Sequence, residues 1–191
     1  MKIYIAKRNY RSEPEAILRL SNHGVARVLE INENSIIEEF IDFEKRKLGL
    51  KRLGHLLNKI HSERNHLGIS LVHGDFGEHN ATLINNEPKC FDYEYAHFGN
   101  VYADIGRVVL RDCDSWEDFT YFFSCYTGKI PKPEEFREGL IYFCNWQSSL
   151  RADKKLQYSE VPLYRKSRLN KVNGKDLGKI LEAFKSEVKL R

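Results

Sequence analysis

No glycine precedes Gly24, methionine occurs once, and no apolar run approaches the roughly 20 residues needed to cross a bilayer as a helix. The N-terminus also lacks the basic-then-apolar pattern of a secretory signal, so the expectation is a soluble cytoplasmic protein with no membrane partner. Cysteine is sparse. Cys90, Cys113, Cys125 and Cys144 lie far apart, form no CxxC pair and mostly sit among apolar or aromatic neighbours, which excludes a zinc ribbon and a disulfide framework. Internal repeats, low-complexity segments and RNA-binding signatures are missing as well. What remains is 191 residues, 41% of them hydrophobic, enough to bury a sizeable core in one domain or two small packed lobes.

The chemistry concentrates between Leu71 and Asp104. Leu71 and Val72 lead into His73-Gly74-Asp75, Asn80 follows five residues after Asp75, and Asp92 comes twelve residues further on after a second apolar entry. Ala81 to Ile84 and Lys89 to Phe91 read as two short strands around the turn Asn85-Asn86-Glu87-Pro88. That hairpin would bring Asn80 and Asp92 together, placing three oxygen-bearing side chains at one end of a small sheet. Phosphoryl transfer needs such a set, because the protein mainly positions groups, neutralises charge through Mg²⁺ and orients a nucleophile with one carboxylate. Asp92 and Asn80 have the oxygen donors a hard divalent cation takes, and Asp75 is placed to accept the proton of an attacking hydroxyl. Asp and Asn are also ordinary turn residues, and for any one of them that reading would prevail. Their joint spacing, each Asp preceded by an apolar entry, favours a site.

HGDFGEHN followed by FDYEYAHFGNVYADIG resembles the aminoglycoside phosphotransferase and choline kinase branch of the protein-kinase-like fold. The resemblance implies an α+β, two-lobed structure: a reduced N-terminal sheet lobe over residues 1–41 and a mostly helical lobe over 42–191. It implies ATP and Mg²⁺ as cofactors, Asp75 as catalytic base, and Asn80 and Asp92 as metal ligands. His73 would orient the loop, and Asp104, near the start of a helix, would brace it. Gly74 stands where protein kinases have Arg, and Tyr93-Glu94 where they have Phe-Gly. The segment from Asp92 to Asp104 is also too short for a peptide-docking activation loop, so the resemblance points away from ordinary protein kinases.

Met1 to Lys7 alternates as a strand. A helix is expected from Ser12-Glu13-Pro14-Glu15, with Ser12 as cap and Ile17 and Leu20 on the buried side. By the resemblance, Lys7 contacts the nucleotide phosphates and is held by Glu15, with Glu13 as the alternative. Ser12 and Glu15 also have the spacing of a capping box, which would turn Glu15 to the backbone instead. Val25 to Ile31 and Ser35 to Phe40 complete the small sheet, and the backbone from Glu39 to Ile41 is where the resembled kinases meet adenine. Two strands and a phosphate-covering glycine loop, which that family places before the lysine strand, have no counterpart in the six residues ahead of Lys7.

Leu53, Leu56, Leu57 and Ile60 mark the buried face of a helix expected over Lys45 to Ser62, with His61 as a structural histidine. Glu78 and His79, inside the loop, either touch substrate or face water. Further helices are expected over Ile105 to Leu110, Trp116 to Tyr126, Glu134 to Leu150 and Asp176 to Leu190, with Trp146 and Gln147 as candidates to line a substrate cleft. Residues 151–191 hold twelve basic and five acidic side chains, and the basic segment Arg151 to Lys175 could meet an acidic protein or RNA phosphates. Two functions emerge. One is an ATP- and Mg²⁺-dependent phosphotransferase acting on an unknown hydroxyl acceptor, a small molecule or a specialised protein. The other is a degenerate kinase-fold adaptor or regulator associated with RNA or a protein complex.

Overall fold

A computed structural model of the chain describes residues 2–8, 12–113, 115–132, 134–143 and 146, the side chains of Lys7 and Trp116 excepted. Gln147, the basic segment 151–175 and the helix expected over Asp176 to Leu190 lie outside the described residues. The chain divides into two compact units, Met1–Ile130 and Pro131–Arg191.

The first unit is mixed α/β. Strand β1 (Ile3–Lys7), helix α1 (Pro14–Ser21), β2 (Val28–Ile31) and β3 (Ser35–Glu39) come first, and the three strands form one antiparallel sheet in the order β1-β3-β2. The central strand β3 buries Ile36 completely. The edge strand β1 instead leaves Ile3, Tyr4 and Ile5 half exposed, because it has a neighbour on one side only. Helix α1 buries Ala16, Ile17 and Leu20 at helical spacing. Its N-cap is Glu13, without a side-chain cap bond, and Pro14 occupies the first turn. The N-cap expected at Ser12 therefore falls one residue later, at Glu13. Arg8 diverts Ser12, donating from Nε to Ser12 Oγ at 3.2 Å and from Nη2 to Ser12 O at 2.9 Å.

Helix α2 (Gly49–Ser62) packs on α4 (Trp116–Tyr126). Leu53, Leu57 and Ile60 are fully buried, as is Phe122, and each such side chain contributes about 1.5–3 kcal/mol on leaving water. The two helices approach closely at Gly54, where a Cβ would lie 3.0 Å from the Phe122 carbonyl oxygen. Helix α2 begins four residues later than its periodicity suggests, because Glu78 takes its first amides: Leu48 N donates to Glu78 Oε1 at 2.5 Å and Gly49 N to Oε2 at 3.2 Å. A carboxylate there suits the positive end of the helix dipole. Glu78, half-buried, is thus engaged through both carboxylate oxygens.

Strand β4 (Leu71–Val72) pairs antiparallel with β7 (His97–Phe98), and β5 (Ala81–Ile84) with β6 (Glu87–Cys90). The second pair is the expected hairpin with a tighter turn: Asn85 and Asn86 both adopt positive φ, 51° and 66°, so two residues suffice and Pro88 joins the strand opposite Leu83. Helix α3 (Tyr102–Asp112) follows, then α4, whose cap Ser115 accepts from Asp118 N at 3.1 Å. In the second unit, residues 134–143 are helical and bury Phe136, Leu140 and Phe143 along one face. No helix among the described residues is long and apolar enough to cross a membrane.

Candidate active site

The loop after β4 is built around a carboxylate that comes from elsewhere in the chain. Asp104, fully buried in the first turn of α3, accepts from His73 N at 2.8 Å through Oδ2, from Gly74 N at 2.8 Å through Oδ1, and more weakly from Phe76 N at 3.4 Å. His61 on α2 meets Oδ2 through Nε2 at 3.1 Å, and its Nδ1 lies 2.7 Å from the Tyr126 hydroxyl on α4. Burial alone would raise the Asp104 carboxyl, but the hydrogen bond and charge of His61, with help from His73, outweigh it and hold the group below its ordinary value. Gly74 suits the loop for a local reason. Its φ is +81°, and a Cβ there would fall 2.6 Å from the Tyr95 carbonyl oxygen, so the Arg that protein kinases carry at this position would not fit.

Below this brace the chain runs through Asp75 into the helical turn Glu78–Asn80 and then into β5. Asn80 is buried and donates its amide Nδ2 to Asp75 O at 3.0 Å and to Asp75 Oδ2 at 3.2 Å. Both bonds use the nitrogen, which leaves the amide oxygen for another partner. The hairpin register sets Ala81 opposite Cys90, and Phe91 N donates to Asn80 O at 3.0 Å, so Asp92 emerges one residue past Asn80's partner. His73 Nε2 lies 3.0 Å from Phe91 O and ties the HGD loop to the same segment. Asp92 has φ +68°, an uncommon conformation for a residue with a side chain, and such outliers concentrate at functional sites. A carboxylate and an amide oxygen on neighbouring segments are donor types that a hard divalent cation takes, so the residue types present are compatible with Mg²⁺.

Asp75 itself is not isolated. Arg107 Nη1 on α3 lies 2.8 Å from Asp75 Oδ1, and His79 Nε2 lies 3.4 Å from Oδ2. The Arg107 contact lacks the alignment of a hydrogen bond and acts through charge, and the His79 contact is long for a hydrogen bond. Burial would raise the Asp75 carboxyl, yet His79 and then Arg107 pull it below the ordinary carboxylate value. It is therefore ionised at neutral pH, as a proton acceptor must be.

Glu38 on β3 is a second buried carboxyl near the site. Only 8% exposed, it is pushed up to about 7, first by burial and then by the negative charge of Asp92. A folded-state value above the unfolded 4.5 means that the stability it confers is complete below 4.5 and is lost as pH rises through about 7. Glu38→Gln should accordingly raise the melting temperature at pH 8 and change it little at pH 4.5. At about 1.4 kcal/mol per pH unit between 4.5 and about 7, the gain is at most about 3.5 kcal/mol. Thermal melts of both proteins across pH 4.5–8 check this.

The remaining residues singled out from the sequence are placed as follows. Lys7 ends β1 opposite Ser35, and its side chain is not described. Glu15 is exposed and pairs with Arg19 at 2.7 Å on its own helix. Glu13 instead reaches across, its Oε1 accepting from Phe98 N at 3.3 Å. The Glu39 amide donates to Arg27 O at 2.9 Å and the Phe40 amide to Lys2 O at 3.0 Å, so Ile41 supplies the N–H of this segment that no described hydrogen bond takes. Sequence reading missed Arg107 and Glu38, and it missed that His61 bonds Asp104. For Arg107 a signal existed: it sits three residues after Asp104, hence on the same face of one helix.

A carboxylate-braced HGD loop, a hairpin carrying an amide and a carboxylate, and a small antiparallel sheet ahead of them define a kinase-like fold. Among solved structures, the chain is similar to a choline/ethanolamine kinase family protein from Mesorhizobium loti, with a TM-score of 0.65 and 13% identity over 96% of this chain and 87% of that one. No protein-family model matches the chain, and no curated protein does. At that identity the likeness is one of fold.

Proposed function

We propose that the protein is a phosphotransferase that moves the γ-phosphate of ATP to a hydroxyl group, with Mg²⁺ as cofactor. The observation that carries the reading is the division of labour at Asn80. Its nitrogen holds Asp75 while its oxygen is left for another partner, and Asp92 follows the residue that bonds Asn80 across the hairpin. In this reading Asp92 and the Asn80 amide oxygen hold Mg²⁺, which when bound neutralises phosphate charge. Asp75 orients the acceptor hydroxyl and takes its proton onto the carboxylate as the acceptor oxygen bonds to phosphorus. Lys7 reaches the α- and β-phosphates, held by Glu15 or, failing that, Glu13. The backbone of Glu39 to Ile41 receives the adenine, and Asp104 and His73 keep the loop in place.

The acceptor is a small molecule, as the choline/ethanolamine kinase neighbour suggests, or a specialised protein. The segment from Arg151 to Lys175 offers positive charge to an acidic protein or RNA partner. Incubation of the protein with γ-labelled ATP, Mg²⁺ and fractionated metabolite and protein pools tests the activity. The expected result is a labelled product that disappears when EDTA is added and when Asp92→Asn replaces the wild type. Labelling that is equal in the Asp92→Asn protein would overturn the assignment. Absence of any labelled product would favour the alternative, a kinase-fold adaptor or regulator.

A further inference from the structure

Around the Asp75 carboxylate lie more nitrogen donors than the protein itself satisfies. Arg107 spends Nη1 on Asp75 Oδ1, and its Nε is buried without a hydrogen-bond partner. His79 approaches Oδ2 through Nε2 at 3.4 Å, and both of its ring nitrogens are buried without a hydrogen-bond partner. Buried polar groups are nearly always paired, and a cluster of exceptions at one place calls for a ligand with several acceptor atoms. Both side chains keep about a fifth of their surface exposed, so the pair borders solvent although these three nitrogens themselves are covered.

The charge around the site is divided. On the Asp92 side stands the buried carboxyl of Glu38. On the Asp75 side stand Arg107 and His79, with Lys45 close by, its Nζ donating to His79 O at 2.6 Å. Asp112 and Glu78 add negative charge nearby, but their carboxylates are engaged elsewhere: Asp112 Oδ2 accepts the Glu78 amide at 3.1 Å, its Oδ1 lies 3.9 Å from Arg111, and Glu78 accepts the amides that open α2. A guanidinium has five donors in a planar fork suited to two-point binding of phosphate or carboxylate, and one pair with Asp75 leaves most of them over.

We propose that Arg107 and His79 form an anion-recognition pair that selects acceptors carrying a phosphate or carboxylate close to the hydroxyl phosphorylated at Asp75. This rests on the phosphotransferase reading for the word acceptor, but the anion site itself does not need nucleotide. Arg107 then has two tasks. It keeps Asp75 ionised and in place, and it anchors the substrate's anion so that the hydroxyl falls at the carboxylate.

Calorimetric titration of the full chain with glycerol 3-phosphate, glycerate and glycerol, each with and without a saturating non-hydrolysable Mg²⁺-ATP analogue, tests the proposal. At least one anion should bind while glycerol does not, and binding should persist with the analogue present. Binding of the phosphate alone would assign the site to phosphate esters, and binding of both would admit carboxylates. Arg107→Met should weaken the anion by about tenfold or more and Arg107→Lys by less, since a point charge replaces the fork. His79→Gln provides a second variant should Arg107→Met fail to fold. Asp75→Asn should bind the anion as well as the wild type or better, because a like charge has gone. Retained binding in Asp75→Asn alongside the loss in Arg107→Met separates a direct anion contact from a role of Arg107 in merely holding Asp75. Equal binding of glycerol, no anion binding by the wild type, unchanged binding in Arg107→Met and His79→Gln, or displacement by the analogue would each overturn the proposal. A protein that binds the anion but no Mg²⁺-ATP would keep the anion site and lose the phosphotransferase reading.

Discussion

Asp75→Asn should lower kcat by about 10²-fold or more while leaving Mg²⁺-ATP affinity within roughly twofold of the wild type. The two effects separate because the residue touches the acceptor side of the site. Asn at 75 keeps an oxygen for the Asn80 amide, so the loop retains its shape, but it cannot take a proton. The wild-type carboxyl lies below the ordinary carboxylate value because His79 and Arg107 outweigh its burial. Its protonation therefore produces no loss of activity between pH 5 and 8, and any limb found there belongs to another group. Steady-state kinetics of both proteins, with the acceptor found in the labelling screen, measure the drop and the pH profile together.

Asp104→Ala should be the most destabilising single substitution in the loop. It strands the amides of His73 and Gly74 and removes one of the two partners of His61, in a place with no exposure to water. Breaking a buried charged pair in this way costs about 3–5 kcal/mol. For a unit of this size that corresponds to a fall in melting temperature on the order of 10 °C. The pH dependence has the opposite sense to that of Glu38. The folded-state value of Asp104 is depressed, so its contribution is present above 3.8 and lost as pH falls through the folded value. The gap in melting temperature between wild type and Asp104→Ala should therefore be full at pH 7 and should shrink only in acid below about 3.8. Differential scanning calorimetry at pH 3 and pH 7 measures both.

What the sequence disclosed depended on how local the determining physics was. The hairpin between Asn80 and Asp92 was legible because two asparagines between short strands suffice to specify it, and the bounds of α4 because an aromatic run marks them. The buried face of α2 was legible from spacing alone. Its starting point was not, since Glu78, 30 residues away, supplies the cap. For the same reason Ser12 looked like a helix cap while Arg8 claims it through a local bond that competes with capping. Arg107 carried no sequence signal of its own beyond its place on α3, and only the fold brings it to Asp75. Glu38 was read as part of a strand that ends in acidic residues. Its raised carboxyl depends on burial and on Asp92, neither of which a strand pattern shows.

The central claim is that Asn80 and Asp92 make a nucleotide–metal site that works separately from Asp75. Calorimetric titration of Mg²⁺-ATP into the wild type, Asp92→Asn, Asn80→Ala and Asp75→Asn tests it most directly. The account predicts saturable binding to the wild type, a loss of about tenfold or more in the first two variants, equivalent to about 1.4 kcal/mol or more, and nearly unchanged binding in the third. No binding to the wild type at millimolar nucleotide, or an equal loss in all three variants, would contradict it.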